Sequence, residues 1–335
     1  MSNNLSVREL ELRIFDVSSG EAFRQMAIAE FSFQYHHNPL YRRYCDLLGV
    51  KAGRVKQITH IPFLPIEFFK TQQVLAHGSS WERKFTSSGT TGMDKSTHYV
   101  KKTQLYHRSF SRAFAHFYGD VEDYCLLALL PGYWDNPHSS LIYMVRELMK
   151  QTGHPDSGFY LDNPQALVDK LVQLEEKGQK TLLLGVSFAL LDLAERHTLK
   201  LNHTLVMETG GMKGRRREMT RGELHEKLME GFGVQQIHSE YGMAELLTQA
   251  YSQHNGIFHA PPWMQVMVRD YDDPFDWAPP GRSGGINIID LANLYSCPFI
   301  ETKDIGRKHP DGSFEVLGRF DDSDIRGCNL LVLND

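Results

Sequence analysis

Lys180–His197 reads KTLLLGVSFALLDLAERH. It opens on an unbroken apolar run, Leu182–Leu184, turns at Gly185-Val186-Ser187, and then spaces its apolar residues at three and four. A short apolar run bounded by turn residues marks a buried strand, and three-four spacing marks an amphipathic helix. The stretch is therefore a strand, a tight turn and a helix. The same alternation recurs on both sides. DYCLLALLP (123–131) is a second buried strand, and SSLIYMVRELMKQTG (139–153) a helix with Ser at its start and Gly after its end. HTLVMETGG (203–211) is a strand running into glycines, ELHEKLMEGFG (223–233) a helix closed by Gly, and VQQIHSEYGMAE (234–245) begins as a strand. Strands alternating with helices argue an α/β fold with a mainly parallel, helix-covered sheet. In such sheets ligands gather at the carboxyl ends of strands, which is where the glycine motifs fall.

The two ends of the chain differ from this middle. RELELRIFDV (8–17) and EAFRQMAIAEFSFQYH (21–36) are helical in spacing, and IPFLPIEFFK (61–70) is an extended segment entering a short helix. After about residue 265 the pattern changes to short strands with polar turns, in GGINIIDL, CPFIETKDIGR and SFEVLGRFDD. The expectation is an α/β core over residues 1–265 and a small β subdomain over 266–335.

Composition excludes several classes. The 335 residues are 41% hydrophobic and 23% charged, enough for a large core. A net charge of −5 offers no surface for a polyanion, so nucleic acid is not an expected partner. No apolar run is long enough to span a membrane, and MSNNLSVREL has no apolar signal core. The four cysteines, Cys45, Cys125, Cys297 and Cys328, stand far apart with no CxxC pair. That spacing argues against a metal cluster or a disulfide framework, and a reducing cytoplasm is the expected location.

Four stretches carry candidate chemistry. FTSSGTTGMDKS (85–96) is rich in Gly, Ser and Thr and is followed by Lys95. Consecutive backbone N–H groups in such a loop cup an anion, and hydroxyls add donors. It is not a P-loop, because Gly89 would require Gly at 94, where Asp stands. A solvated surface turn is the bland alternative. HSEYGMAE (238–245) places Tyr241 and Glu245 around a Gly turn, an aromatic to stack on a base and a carboxylate to hold Mg²⁺. ETGGMKGRRR (208–217) has two glycines that let a flat ligand approach the backbone. Its basic run is more often a solvated face. In ETKDIGR…VLGRFDD, Asp304 suits ribose hydroxyls and Arg319 can support it, although ordinary hairpin turns have the same composition.

Taken in order, SSGTTGMDK, YGMAE, TKDIGR and GRFDD resemble the motifs of the adenylate-forming superfamily of acyl-CoA synthetases, luciferases and adenylation domains, across residues 85–322. IPFLPIEFFK before the loop, TGGMKG and DLAN look like the acyl-protein synthetase (LuxE-like) branch. The resemblance implies the large N-terminal domain of these enzymes. It also implies their reaction: ATP-dependent activation of a carboxylic acid, fatty or aryl, to acyl-AMP, then transfer to a thiol. By motif, Ser87, Ser88, Gly89, Thr90, Thr91, Gly92 and Lys95 would form the phosphate loop. Gly210 and Gly211 would flank adenine, Tyr241 would stack on it with Gly242 beside it, and Glu245 would hold Mg²⁺. Asp304 would bind ribose, assisted by Arg319, and Asp321 sits at the hinge position.

Two departures stand out. Ala244 occupies the place where the superfamily usually has Thr, whose hydroxyl contacts the α-phosphate. The sequence also stops shortly after the hinge motif, so the resemblance implies that the usual C-terminal lid domain is absent with its lysine: either a partner supplies that lysine, the site compensates, or adenylation is slow or lost. Relatives of the luminescence type carry the acyl group on a cysteine near the C-terminus, which makes Cys328, two residues after Arg326, a candidate acceptor. CoA, a carrier protein or an acyl reductase are the alternatives. Two other function classes stay open. Gly185-Val186-Ser187 is similar to the G-x-S-x-G elbow of serine hydrolases, although Ala189 replaces the last glycine. A nucleotide-binding subunit without catalysis would also explain Ala244.

Overall fold

The computed structural model describes residues 5–76, 80–87, 95–131, 136–210 and 219–320. The chain opens with helices α1 (Val7–Arg13), α2 (Gly20–His37) and α3 (Pro39–Leu47). Strand β1 (Leu64–Pro65) and the short α4 (Phe68–Thr71) follow. Strands β2 (Arg83–Thr86) and β3 (Thr97–Val100) form a separate antiparallel hairpin. Then come α5 (Thr103–Tyr118), β4 (Cys125–Leu129), α6 (Ser140–Thr152), β5 (Gly158–Phe159), α7 (Pro164–Glu176), β6 (Thr181–Val186), α8 (Ser187–Arg196), β7 (Thr204–Thr209), α9 (Arg221–Phe232) and β8 (His238–Tyr241). The remaining strands are β9 (Ala250–Ser252), β10 (Ile257–His259), β11 (Met264–Arg269), β12 (Ser283–Asp290), β13 (Phe299–Lys308) and β14 (Phe314–Arg319).

The alternation read from Lys180–His197 is present. Strands β5, β4, β6, β7 and β8 lie side by side in parallel, with helices as crossovers. β4 and β6 are buried along their whole length, as continuous apolar runs require. Helix ends follow their capping residues. Ser139 accepts from the Ile142 amide and Gly153 closes α6 at φ +60°. Thr220 and Glu223 form a reciprocal capping box on α9, and Gly233 ends it at φ +63°.

The later strands are not detached from this sheet. β9 turns antiparallel against β8, and the order continues β10, β14, β13, β12, β11, all antiparallel. Residue 265 falls inside β11. The fold is thus α/β, with a parallel half that runs without a break into an antiparallel half.

Candidate active site

The sheet order sets up the site. Three strands, β9, β10 and β14, separate β8 from β13. At about 4.8 Å per step, a flat sheet would hold them roughly 19 Å apart. Yet the Tyr241 hydroxyl, at the end of β8, donates to Asp304 Oδ2 on β13 at 2.7 Å. The sheet therefore curls back on itself. The inside of the curl is filled by Tyr241, Phe258 and Phe314, whose rings meet at 5.5–5.9 Å between centroids. The Tyr241 ring is buried in this aromatic cluster, and its hydroxyl stays protonated because burial and Asp304 push its pKa well up.

Asp304 pairs in register with Arg319 across β13 and β14. Arg319 Nε lies 3.9 Å from Asp304 Oδ1, but the arginine side chain is 67% exposed, so this pair contributes little. Burial raises the Asp304 pKa, while the Tyr241 hydrogen bond and Arg319 oppose the rise. Tyr241, Asp304 and Arg319, read from separate motifs, thus meet at one place.

Glu245 follows on the loop after β8 and is 4% exposed. Burial raises its pKa; the Ser96 side chain, hydrogen-bonded to it, and Arg319 act in the opposite direction. Ser96 stands at the start of the returning hairpin strand, where it closes the base of the Gly/Ser/Thr loop. The Ser96 amide donates to Ser87 Oγ at 3.0 Å, and the Ser87 amide donates to the Ser96 carbonyl at 3.1 Å. The expected phosphate loop is therefore slung between two strands of a hairpin, and its base is tied to Glu245. Lys95, next to Ser96, is exposed. Gly210 ends β7 with φ +77°, a left-handed conformation that glycine adopts without strain. Ser88, Gly89, Thr90, Thr91, Gly92, Gly211, Asp321 and Cys328 lie outside the described residues.

The DLAN segment acquires a physical role. Asp290 Oδ2 accepts from the Leu247 and Thr248 amides at 2.8 and 3.0 Å, and Oδ1 accepts from Thr248 Oγ1 at 2.5 Å. Asn293 Nδ2 donates to the Glu245 carbonyl at 2.8 Å. Its Oδ1 faces His98 Nε2 at 2.9 Å, and His98 Nδ1 faces the Ala244 carbonyl at 2.8 Å. Asn293 and His98 thereby fix the backbone on either side of Glu245. Sequence reasoning missed His98. The period-two burial of Ser96, His98 and Val100 along β3, which turns His98 inward, exists only in the fold, so the sequence offered no signal for it.

Ser187 sits at the first turn of α8 and is 1% exposed. It donates to Glu208 Oε2 at 2.8 Å, and the other oxygen of Glu208 lies 3.6 Å from Arg221 Nε and 3.7 Å from His225 Nε2. Although Glu208 is buried, those partners hold its pKa below the usual value. A nucleophilic serine gives its proton to a histidine; here the serine donates to a carboxylate and His225 turns toward Ser239 at 3.4 Å. The geometry ties three elements together and does not form a hydrolase triad.

Comparison with known proteins agrees with this geometry. The family model described as acyl-protein synthetase, LuxE, matches residues 5–335. The long-chain-fatty-acid–luciferin-component ligase of Vibrio harveyi is 25% identical, over 90% of this chain and 84% of that protein. A solved 2-hydroxyisobutyryl-CoA ligase, in complex with 2-HIB-AMP and CoA, superposes with a TM-score of 0.61 at 13% identity, over 96% of this chain and 81% of that one. ATP-bound MatB from Rhodopseudomonas palustris gives 0.53 at 19% identity, over 70% of this chain and 47% of its own, so the match spans about half of MatB. These solved structures share the fold of the large N-terminal domain of adenylate-forming enzymes. No described helix is long and apolar enough to cross a membrane.

Proposed function

Because the chain belongs to the acyl-protein synthetase (LuxE) family, we propose that it activates a carboxylic acid with ATP and passes the acyl group to a thiol. A carboxylate oxygen attacks the α-phosphorus, the bond to the β-phosphate breaks and pyrophosphate leaves. A thiolate then attacks the acyl carbon and AMP departs. The observation that carries this reading is that residues of separate motifs meet: Ser96 at the base of the hairpin loop is hydrogen-bonded to Glu245, Arg319 and Asp304 act on the same carboxylate, and Tyr241 is hydrogen-bonded to Asp304.

Each residue has a part that its surroundings support. The loop amides and hydroxyls and Lys95 would bind the phosphates. Gly210 would let the nucleobase lie against backbone, with the Tyr241 ring and Gly242 on its other side. The Asp304 carboxylate, oriented by the Tyr241 hydroxyl, would accept from ribose hydroxyls. Glu245 fits a divalent cation, since it is a nearly inaccessible carboxylate whose side-chain hydrogen-bond partner is one hydroxyl. A Mg²⁺ ion shared with phosphate oxygens takes one or two carboxylates. When bound, it would neutralise phosphate charge as the bond breaks. His98 and Asn293 hold the carbonyls of Ala244 and Glu245, and Asp290 holds the amides of Leu247 and Thr248, which would keep Glu245 in place for that contact.

The acid would be fatty or aryl, and the acceptor thiol Cys328, CoA, a carrier protein or an acyl reductase partner. The test is acid-dependent exchange of labelled pyrophosphate into ATP over a panel of carboxylic acids. Exchange with at least one acid supports the reading; ATP binding without exchange for any acid overturns it. Transfer from labelled acid to protein that persists unchanged in Cys328→Ser removes Cys328 as acceptor.

A further inference from the structure

Asp304 stands in an interruption of the sheet. Between β12 and β13, Gly285 pairs with Ile305 and Asn287 with Glu301, so Ile286 alone faces Thr302, Lys303 and Asp304. A bulge of this kind breaks the hydrogen-bond ladder and re-aims the side chains it carries, and bulges gather beside active sites. The backbone groups that a bulge frees need partners elsewhere. Here the Asp304 amide donates to Thr302 Oγ1 at 3.1 Å, and that hydroxyl donates to the Ile286 carbonyl at 2.8 Å. The Lys303 carbonyl accepts from the Phe320 amide at 2.8 Å. The Thr302 carbonyl accepts from a side chain that comes from two strands away.

That side chain is Arg269, at the end of β11. Its Nη2 donates to the Thr302 carbonyl at 2.8 Å, and its Nη1 donates to the Ile286 carbonyl at 3.1 Å and to Asn287 Oδ1 at 2.7 Å. The guanidinium can cross β12 because Gly285 has no side chain; a Cβ there would lie 2.2 Å from Arg269 Cζ. The Phe320 ring stands with its centroid 5.6 Å from the same guanidinium. Arg269 is 7% exposed, yet its one ion pair among the described residues, from Nε to Glu301 Oε1, is long at 3.7 Å. A buried cation without a close counter-charge is costly, so a core position alone does not account for it. What the planar fork achieves is to gather oxygens of β12 and β13 at once, which the compact ammonium of lysine cannot do.

We propose that Arg269 is a positioning residue for nucleotide binding: by holding Thr302 against Ile286 it fixes the bulge, and with it the main chain from which the Asp304 carboxylate reaches the ribose. This rests on the reading of Asp304 as the ribose ligand.

The experiment is equilibrium binding of ATP and of its 2′- and 3′-deoxy analogues, with Mg²⁺, to the purified full chain by titration calorimetry. Binding needs neither acid nor turnover, so the outcome is independent of whether adenylation occurs. Wild-type protein should bind ATP about 10-fold or more tightly than the analogue lacking the hydroxyl that Asp304 accepts from, and Asp304→Ala should remove most of that ratio. Arg269→Lys keeps the charge and loses the fork. It should weaken ATP binding by about 10-fold and leave binding of that deoxy analogue within about twofold of wild type. Thr302→Val, which removes the hydroxyl between Asp304 and Ile286, should shift the ratio in the same direction, and it carries the test should Arg269→Lys not fold. In the Asp304→Ala background, Arg269→Lys should change ATP affinity by less than about twofold, because both substitutions act on one contact. A purely structural role weakens ATP and the deoxy analogue by the same factor; that equal loss, or a ratio unmoved in both variants, overturns the proposal. Wild-type protein that binds all three nucleotides alike, or an unchanged ratio in Asp304→Ala, overturns the ribose reading and the Arg269 role with it.

Discussion

Glu240→Gln should remove a large part of the pH dependence of stability. Glu240 is 8% exposed, accepts from Thr209 Oγ1 and lies near Glu208, which its own partners keep charged. Its folded pKa is raised from the ordinary 4.5 to about 7. The stabilisation that this difference represents is fully present below pH 4.5 and is lost as pH rises through 7. Integrating the proton linkage between those two values gives a loss of about 2.5 kcal/mol between pH 5 and pH 8. Glutamine cannot ionise and keeps an oxygen for Thr209. Urea denaturation of wild type and variant at both pH values yields a double difference from which pH-independent packing effects cancel. Asp290, also raised by burial, to about 6, is present in both proteins and cancels as well. The variant should be the more stable relative to wild type at pH 8 than at pH 5, by about 2.5 kcal/mol. A double difference below about 1 kcal/mol, or one of opposite sign, refutes the reasoning.

Three further outcomes follow from the site. Asp304→Ala should raise the KM for ATP about 10- to 100-fold, as loss of a charge-assisted hydrogen bond does; the penalty should shrink with ATP analogues lacking a ribose hydroxyl, and an equal penalty for both nucleotides removes the ribose role. Asn293→Ala leaves the Glu245 carbonyl and His98 Nε2 without the partner that Asn293 gives them, so urea denaturation should show a loss of about 2–3 kcal/mol, accompanied by a lower kcat; a stable variant with normal kcat contradicts the positioning role. Ser96→Ala removes a hydrogen bond that favours ionised Glu245, so the acid limb of the pH–rate profile should move to higher pH, and a limb that stays in place or moves down separates Glu245 from the chemistry.

The parallel half of the fold was legible because its signals are local. Leu182–Leu184, the Gly185–Ser187 turn and the spacing of α8 specify one strand-turn-helix unit whatever surrounds it. Ser139, Gly153 and Gly233 mark helix ends by their own backbone and side-chain chemistry. The continuity of the antiparallel strands with the sheet was not legible, since pairing of β10 with β14 joins residues far apart in sequence, with no local trace. The site divides in the same way. Motif order brought Tyr241, Glu245, Asp304 and Arg319 into view, but the curl that joins Tyr241 to Asp304 depends on an aromatic filling contributed by β8, β10 and β14. Asn293 and His98 carry no signal of their own. Each works only through a backbone carbonyl next to Glu245, and that contact exists only once the chain has folded.

A site proposed to bind a triphosphate has five carboxylates on the strands and loop around it: Glu208 on β7, Glu240 on β8, Glu245 after it, Asp290 on β12 and Asp304 on β13. Full ionisation of all of them would oppose a polyanion. The structure limits this charge group by group. Burial pushes Glu240, Glu245, Asp290 and Asp304 toward their neutral forms. Only Glu208 is held in the ionised state against burial, and it has Arg221 and His225 on its outer oxygen. A cation at Glu245 would reverse the balance there, because a bound divalent ion favours the ionised carboxylate and releases its proton. Cation and nucleotide affinity should therefore be coupled, each binding more tightly in the presence of the other. The strength of that coupling should fall as pH drops through the raised Glu245 pKa, because the proton competes with the cation for the same oxygens.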